Sequence, residues 1–212
     1  MPGQPVTAEH FHALLRARRS RREFTRQELS PEKIERALQA AMRAASGANA
    51  QPWLYVLVER GPLRDSIREH CERADEDFHK RSPPWLKQFF ADHQITPVKQ
   101  FTEDAPLLVA VFGRRDFPFW LQSVWLSIAN FINALEVEDL HSLTYTPSLD
   151  KTFNKLLGVD ESFSCQALLP VGIGNPNEVL QPRPRKPLSE TVKVLDAEGR
   201  LREFKPALPF EP

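Results

Sequence analysis

The chain of 212 residues has only two cysteines, Cys71 and Cys165, far apart and in no CxxC pair. That excludes a disulfide framework or a cysteine-based zinc set, and makes a reducing cytoplasm the expected compartment. Excess charge is also missing: Lys+Arg and Asp+Glu both number 28, so a general nucleic-acid binder, which needs a basic surplus, is not expected. Long apolar runs are absent as well. No stretch approaches the roughly 20 apolar residues that span a bilayer, and Met1-Pro2-Gly3-Gln4-Pro5 has no apolar signal core. A soluble protein without a membrane partner is expected. The six histidines form no HExxH or other metal spacing, so no metal site is expected. There is no GxSxG, and Pro176 breaks the Gly172-Ile173-Gly174-Asn175-Pro176 run, leaving no GxGxxG and no support for a Rossmann site. No internal repeat is visible.

What remains is enough apolar material, 41%, to bury a core as one large domain or two small ones. Thr7 caps a helix carrying Phe11, Leu14 and Leu15. Ser30 with Pro31 opens a second helix, with Ile34, Ala37, Leu38, Ala41 and Met42 at inward spacing and Gly47 as its end. Residues 53–58 read as a buried strand, and 63–80 as a polar helix. Over 82–102 the pattern breaks up around Pro83, Pro84, Trp85, Phe89, Phe90 and Pro97, which predicts a lid or partner-contact segment. Residues 105–112 read as a second buried strand. The helix over 119–138 carries Trp120, Val124, Trp125, Ile128, Phe131, Ile132 and Leu135 on more than one face, so it is buried all round or forms a subunit interface. Strands over 140–145 and 166–173, a short helix over 150–157 and an extended Pro-rich stretch over 182–187 complete an α+β or α/β sandwich.

Two segments carry chemistry. Arg18-Arg19-Ser20-Arg21-Arg22 offers an anion several guanidinium forks and a hydroxyl. Ser46-Gly47-Ala48-Asn49-Ala50-Gln51-Pro52-Trp53 is a small-residue turn with an amide, leading into an apolar strand. Taken alone, the first is equally a basic helix end meeting the helix dipole, and the second a C-cap followed by a strand start.

Together these segments resemble the FMN-dependent nitroreductase family, which pairs Arg-Arg-Ser-x-Arg with small-x-Asn-x-Gln-Pro-Trp. Leu168-Leu169-Pro170-Val171-Gly172 is similar to the family's late strand, and Arg183-Pro184-Arg185-Lys186-Pro187-Leu188 to its closing basic motif. The resemblance spans roughly residues 8 to 195. It implies an α+β fold, a three-layer α-β-α sandwich around a mostly antiparallel sheet, in a domain-swapped homodimer. One FMN-binding domain would cover 1–212, with a lid at about 64–104 and a C-terminal extension at about 190–212.

By the same resemblance, Arg18, Arg19 and Ser20 hold the FMN phosphate, with Arg185 returning to it and Arg183 as second choice. Arg22 lies against the pyrimidine edge of the flavin ring, where a fixed cation raises its reduction potential. Asn49 bonds the ring's polar edge, and Gln51 shapes the turn behind it. Thr144-Tyr145-Thr146-Pro147-Ser148 matches the branch containing the iodotyrosine deiodinases. Pro147 has no N–H, so the Thr146 hydroxyl or the Ser148 N–H is the donor to flavin N5, unless this is a plain Thr-Pro turn. A donor there would open one-electron steps beside hydride transfer. The deiodinase lid clamps an amino-acid zwitterion with a Glu, a Tyr and a Lys. Here Ala74 and Phe78 stand at the Glu and Tyr positions, and neither can bond an ammonium or carboxylate. A lid of Phe78, Trp85, Phe89 and Phe90 suits flat aromatic substrates instead. The implied activity is ping-pong reduction of a nitroaromatic, quinone or similar small aromatic acceptor by NAD(P)H. A deiodinase- or dehalogenase-like reductase and a non-catalytic flavin-binding module are the alternatives.

Overall fold

The computed structural model describes residues 7–147, 151–180 and 184–208. They fall into two compact units, Met1–Glu178 and Val179–Pro212.

Local chemistry starts the first helices of the larger unit. The Thr7 hydroxyl accepts from the His10 N–H at 3.2 Å, opening α1 (Ala8–Ala17). Ser30 accepts from the Lys33 N–H at 3.4 Å, with Pro31 in the first turn, opening α2 (Pro31–Ala41). Next come β1 (Trp53–Val58), α3 (Leu63–Arg81), α4 (Pro84–Asp92), α5 (Phe101–Asp104), β2 (Leu107–Arg114) and α6 (Trp120–Val137). β3 (His141–Ser142), α7 (Lys151–Leu156) and β4 (Phe163–Gly172) complete the unit.

The sheet has the order β1-β2-β4-β3, with every pair antiparallel. Side chains alternate across it. On one face Val109, Val111, Leu169 and Val171 pack with Ile34, Ala37 and Ala41 of α2 and Val124, Ile128, Phe131 and Leu135 of α6. On the other, Leu108, Ala110, Phe112 and Leu168 pack with Ile67 and Cys71 of α3 and Phe153 of α7. The result is the expected three-layer α-β-α sandwich. Each large buried side chain contributes about 1.5–3 kcal/mol. At one edge Arg64 is buried without a carboxylate partner. Its guanidinium donates to the carbonyls of Val58 (2.6 Å), Thr102 (2.8 Å), Ala105 (3.0 Å), Glu59 (3.2 Å) and Pro106 (3.3 Å), tying β1 to the approach to β2.

Several expectations are corrected. Residues 53–58 form an edge strand, and Leu57 is exposed. Within 82–102, residues 84–92 form a helix despite the two prolines, because Pro84 occupies the first turn of α4, where its missing N–H costs nothing, while 93–100 are irregular. α2 ends at Ala41, six residues before Gly47. Gly47 is needed for close approach instead: a Cβ there would lie 2.8 Å from Phe119 Cδ2 and 3.1 Å from the Pro118 carbonyl oxygen.

The strand expected over 140–145 stops at Ser142, and Pro170 explains why. Leu168 exchanges both backbone bonds with Tyr145, N–H to carbonyl at 2.8 Å and 3.3 Å. Its N–H therefore faces the β3 side, and so does the position of the N–H that Pro170, two residues on, does not have. The ladder breaks there and resumes only as the single Tyr145–Leu168 bridge.

In the smaller unit, α8 (Leu188–Thr191) precedes a hairpin of β5 (Lys193–Leu195) and β6 (Leu201–Glu203). The Asp196 carboxylate organises its turn, accepting from the backbone of Arg200 at 2.8 Å and from Arg202 Nε at 2.6 Å. Positions 182 and 183 of the expected extended stretch lie outside the described residues, and 184–187 have no regular structure.

Candidate functional site

The basic segment leaves α1 and runs along the exit of β4. The Arg21 N–H donates to the Ser142 carbonyl at 3.1 Å, the Thr25 N–H to Ile173 at 2.8 Å, and the Asn175 N–H returns to Glu23 at 2.9 Å. Phe24 then buries beside Leu143, Phe101 and Ala105. Glycine is required at 172, where a Cβ would come within 2.8 Å of both Phe24 and Pro106. Glu178 clamps the segment: its carboxylate accepts from the Arg22 N–H at 2.8 Å and pairs with the Arg21 guanidinium at 3.5 Å. Arg21 is thereby committed to structure.

Arg18, Arg19 and Ser20 are half-buried, and Arg22 is exposed. Arg19 Nη1 folds back on the carbonyls of Arg16 (2.5 Å) and Arg18 (2.9 Å), at the end of α1. Among the described residues no carboxylate lies within ion-pair distance of Arg18 or Arg19. The nearby acid is Glu136 of α6, whose carboxyl is pushed up to about 7 by burial, against the pull of Arg18 and Arg21. His141 accepts from the Gly174 N–H at 3.1 Å, and burial, followed by Arg21, lowers its basicity. Two cations that no carboxylate neutralises, beside a hydroxyl, fit a phosphate.

The second segment is strained. Ala48, Asn49 and Gln51 hold φ of 53°, 54° and 47°, the left-handed region that non-glycine residues rarely adopt. Serines fix it: the Ser46 hydroxyl accepts from the Gln51 N–H at 3.1 Å, and Ser123 Oγ of α6 accepts from the Gly47 N–H at 3.2 Å. The Gln51 amide donates to Asn49 Oδ1 at 3.2 Å, so the amide expected at the ring and the one expected to shape its turn lie together on the surface.

The two segments are not brought together. The turn is anchored at Ser123, and Arg18 faces Glu136, thirteen residues further along the same helix. At 1.5 Å per residue that is about 20 Å.

Thr146 and Pro147 directly follow Tyr145, which packs in the cluster of Phe24 and Leu143, while Arg21 bonds Ser142 of β3. The Thr146 side chain is exposed. Ser148 and Arg183 lie outside the described residues, and Arg185 belongs to the smaller unit. Of the lid residues, Phe78 of α3 and Phe90 of α4 meet at 6.0 Å between ring centroids, while His79 stacks on Phe90 at 4.1 Å. Phe89 stacks on His93 at 4.1 Å, and Trp85 is 70% exposed. Sequence reasoning missed Asp75 and Lys99, which meet Tyr145. Tyr145 Oη donates to Asp75 Oδ1 at 2.8 Å, and Lys99 Nζ pairs with Asp75 Oδ2 at 2.6 Å. Among the described residues no cluster of three or more His, Cys, Asp or Glu is placed to hold a metal, and no helix is long and apolar enough to cross a membrane.

The architecture is that of an α+β domain, a three-layer sandwich with a cationic segment on one flank and a strained amide turn beside the N-terminus of α6. The chain belongs to the nitroreductase family, whose family model matches residues 15–173. It is 32% identical to an iodotyrosine deiodinase of Thermotoga neapolitana over 182 residues, 86% of this chain and 95% of that one. The structure of an oxidised iodotyrosine deiodinase bound to FMN and 3-iodo-L-tyrosine superposes with a TM-score of 0.78 at 31% identity, covering 83% of this chain and 96% of that one. A BluB-like flavoprotein of Clostridium difficile shares the fold, with a TM-score of 0.68 at 22% identity, covering 87% and 98%.

Proposed function

We propose that this chain is an FMN-dependent oxidoreductase acting on a small aromatic acceptor, with residues 1–212 serving as one FMN-binding domain. The observation that carries the reading is the pair Arg18 and Arg19, in no ion pair among the described residues, on the segment whose Phe24 packs with Leu143 and Tyr145 just before Thr146. Arg18, Arg19 and Ser20 bind the phosphate, joined by Arg185 or Arg183. Arg19 gives up its two carbonyl contacts to do so. Arg22 would stabilise negative charge at the ring's pyrimidine edge, Asn49 would hold the ring's polar edge with Gln51 shaping the turn behind it, and the Thr146 hydroxyl or the Ser148 N–H would donate to N5. FMN, when bound there, would supply the redox chemistry between NAD(P)H and the acceptor.

The separation of about 20 Å along α6 is too long for one flavin mononucleotide to touch both segments of a single protomer. A second copy supplies the turn, so the active form is a homodimer with exchanged tails. The exposed apolar side chains Phe11 and Leu15 of α1 and Leu121 and Leu126 of α6 support this reading, since they lack cover in one chain.

The acceptor is a flat aromatic, a nitroaromatic or quinone, held under Phe78, Trp85, Phe89 and Phe90. A second reading, reductive dehalogenation, is favoured by the likeness to iodotyrosine deiodinases and by the Thr146-Pro147 turn. Ala74 and Phe78 argue against an amino-acid zwitterion as its substrate, which leaves simple halophenols. The test is anaerobic. The FMN-loaded protein is bleached with NADH or NADPH, then offered a nitroaromatic, a quinone, an iodophenol and 3-iodotyrosine. Reoxidation by the first two supports reduction of nitro and quinone groups, and iodide release from iodophenol selects the second reading. A protein that no added FMN turns yellow, or that sediments as a monomer holding stoichiometric FMN, refutes the proposal.

A further inference from the structure

The turn carrying Thr146 has lost its ladder. Pro170 offers no N–H to residue 143, so among the described residues backbone pairing reaches the turn only through the Tyr145–Leu168 bridge. What holds Tyr145 therefore sets where Thr146 stands. The geometry points to Tyr145 as a positioning residue, whose hydroxyl fastens the turn to α3 through the buried Asp75–Lys99 pair.

Each member of that chain is fixed in turn. Asp75 accepts from Tyr145 with one oxygen, at 2.8 Å, and from Lys99 with the other, at 2.6 Å. The Asp75 and Lys99 side chains are 13% and 6% exposed. Lys99 Nζ also donates to the Thr96 carbonyl at 2.7 Å and lies 5.5 Å from the centre of the Tyr145 ring. The Lys99 N–H donates to Glu72 at 2.8 Å, and Glu72 pairs with Arg68 at 2.8 Å. Phe101 meets the Tyr145 ring edge-on at 5.4 Å. Burial keeps the phenol protonated far above its ordinary range, so it remains a donor. Phe78 lies one helical turn beyond Asp75, so the same bond ties the root of the lid to the turn.

The inference rests on the proposed FMN reading for its effect on the cofactor, but not for its first test. Tyr145→Phe removes only the hydroxyl, leaving the ring on Phe101 and the Asp75–Lys99 pair closed. In the protein as purified, hydrogen exchange at the Tyr145 and Leu168 amides should accelerate roughly tenfold, with the amides of 108–111 unchanged. Unchanged exchange at 145 and 168 overturns the inference, whatever the cofactor. In the FMN-loaded protein, Tyr145→Phe should shift the flavin's reduction potential in the same sense as Thr146→Ala, and the double variant should match Thr146→Ala alone. A wild-type potential in Tyr145→Phe with only a lowered melting temperature, or shifts that simply add, means that Tyr145 is structural and overturns the positioning role. Failure of the wild type to take up FMN would sink the proposed function but leave the exchange result standing.

Discussion

The strained turn makes a prediction that runs against the usual effect of mutation. Ala48 is exposed and holds φ at 53°, so replacing it with glycine removes a strained Cβ and no packing. The left-handed region costs an L-residue about 1–2 kcal/mol. Glycine returns about 0.5–1 kcal/mol of that through its greater freedom when unfolded. Ala48→Gly should therefore stabilise the protein by about 0.5–1 kcal/mol, raising the melting temperature by about 1–4 °C in a chain of this size. The urea midpoint should rise by about 0.2–0.5 M. Asn49 has nearly the same φ, 54°, but its side chain tolerates that region, so Asn49→Gly should change stability little. Because the freed backbone must be ordered again around a ligand, Ala48→Gly should also weaken FMN binding by about two- to fivefold. Paired urea melts and flavin titrations of both variants decide the matter. A lower midpoint for Ala48→Gly, or an equal gain for Asn49→Gly, would refute the strain argument.

Three further outcomes are expected. Arg64→Met should destabilise the protein by about 2–4 kcal/mol in chemical denaturation, because five backbone carbonyls lose a charged donor while the cost of burying the cation is relieved. Arg19→Ala and Arg185→Ala should each weaken FMN binding by about 1.5–3 kcal/mol, at least tenfold in Kd by fluorescence titration. The Glu136 carboxyl is raised from its ordinary 4.5 to about 7, so the folded state holds its proton longer than the unfolded chain does. Its contribution is full below pH 4.5 and is lost as pH rises through about 7. Melting temperatures measured across that window should decline less steeply for Glu136→Gln than for the wild type.

Features governed by neighbouring residues were legible in the sequence. The Thr7 and Ser30 caps depend only on adjacent turns, and the apolar runs in β2 and β4 reflect burial on both faces. The Pro83-Pro84 pair reads as a break when proline is taken as a helix terminator, yet the same ring starts α4. The length of β3 was hidden because it depends on which side of β4 the Pro170 nitrogen faces, a property of the pairing. The site divides in the same way. Its basic and amide segments announce themselves by composition, whereas Asp75 and Lys99 are 70 and 46 residues from Tyr145, and only the fold makes them neighbours. The commitment of Arg21 to Glu178 was equally invisible, since five arginine and serine positions in a row look alike until one finds a partner 157 residues away.

Pro170 has a consequence for how this scaffold can diversify. A proline inside a central strand leaves β2 and the core faces intact while taking one backbone bond from the outer neighbour, whose register is the same on both sides of the gap. The segment after Ser142 therefore owes its place more to side chains such as Leu143 and Tyr145, and a change among them moves the turn without passing the disturbance into the sheet. A single missing donor separates the part of the molecule that must stay constant from the part that is free to acquire new chemistry.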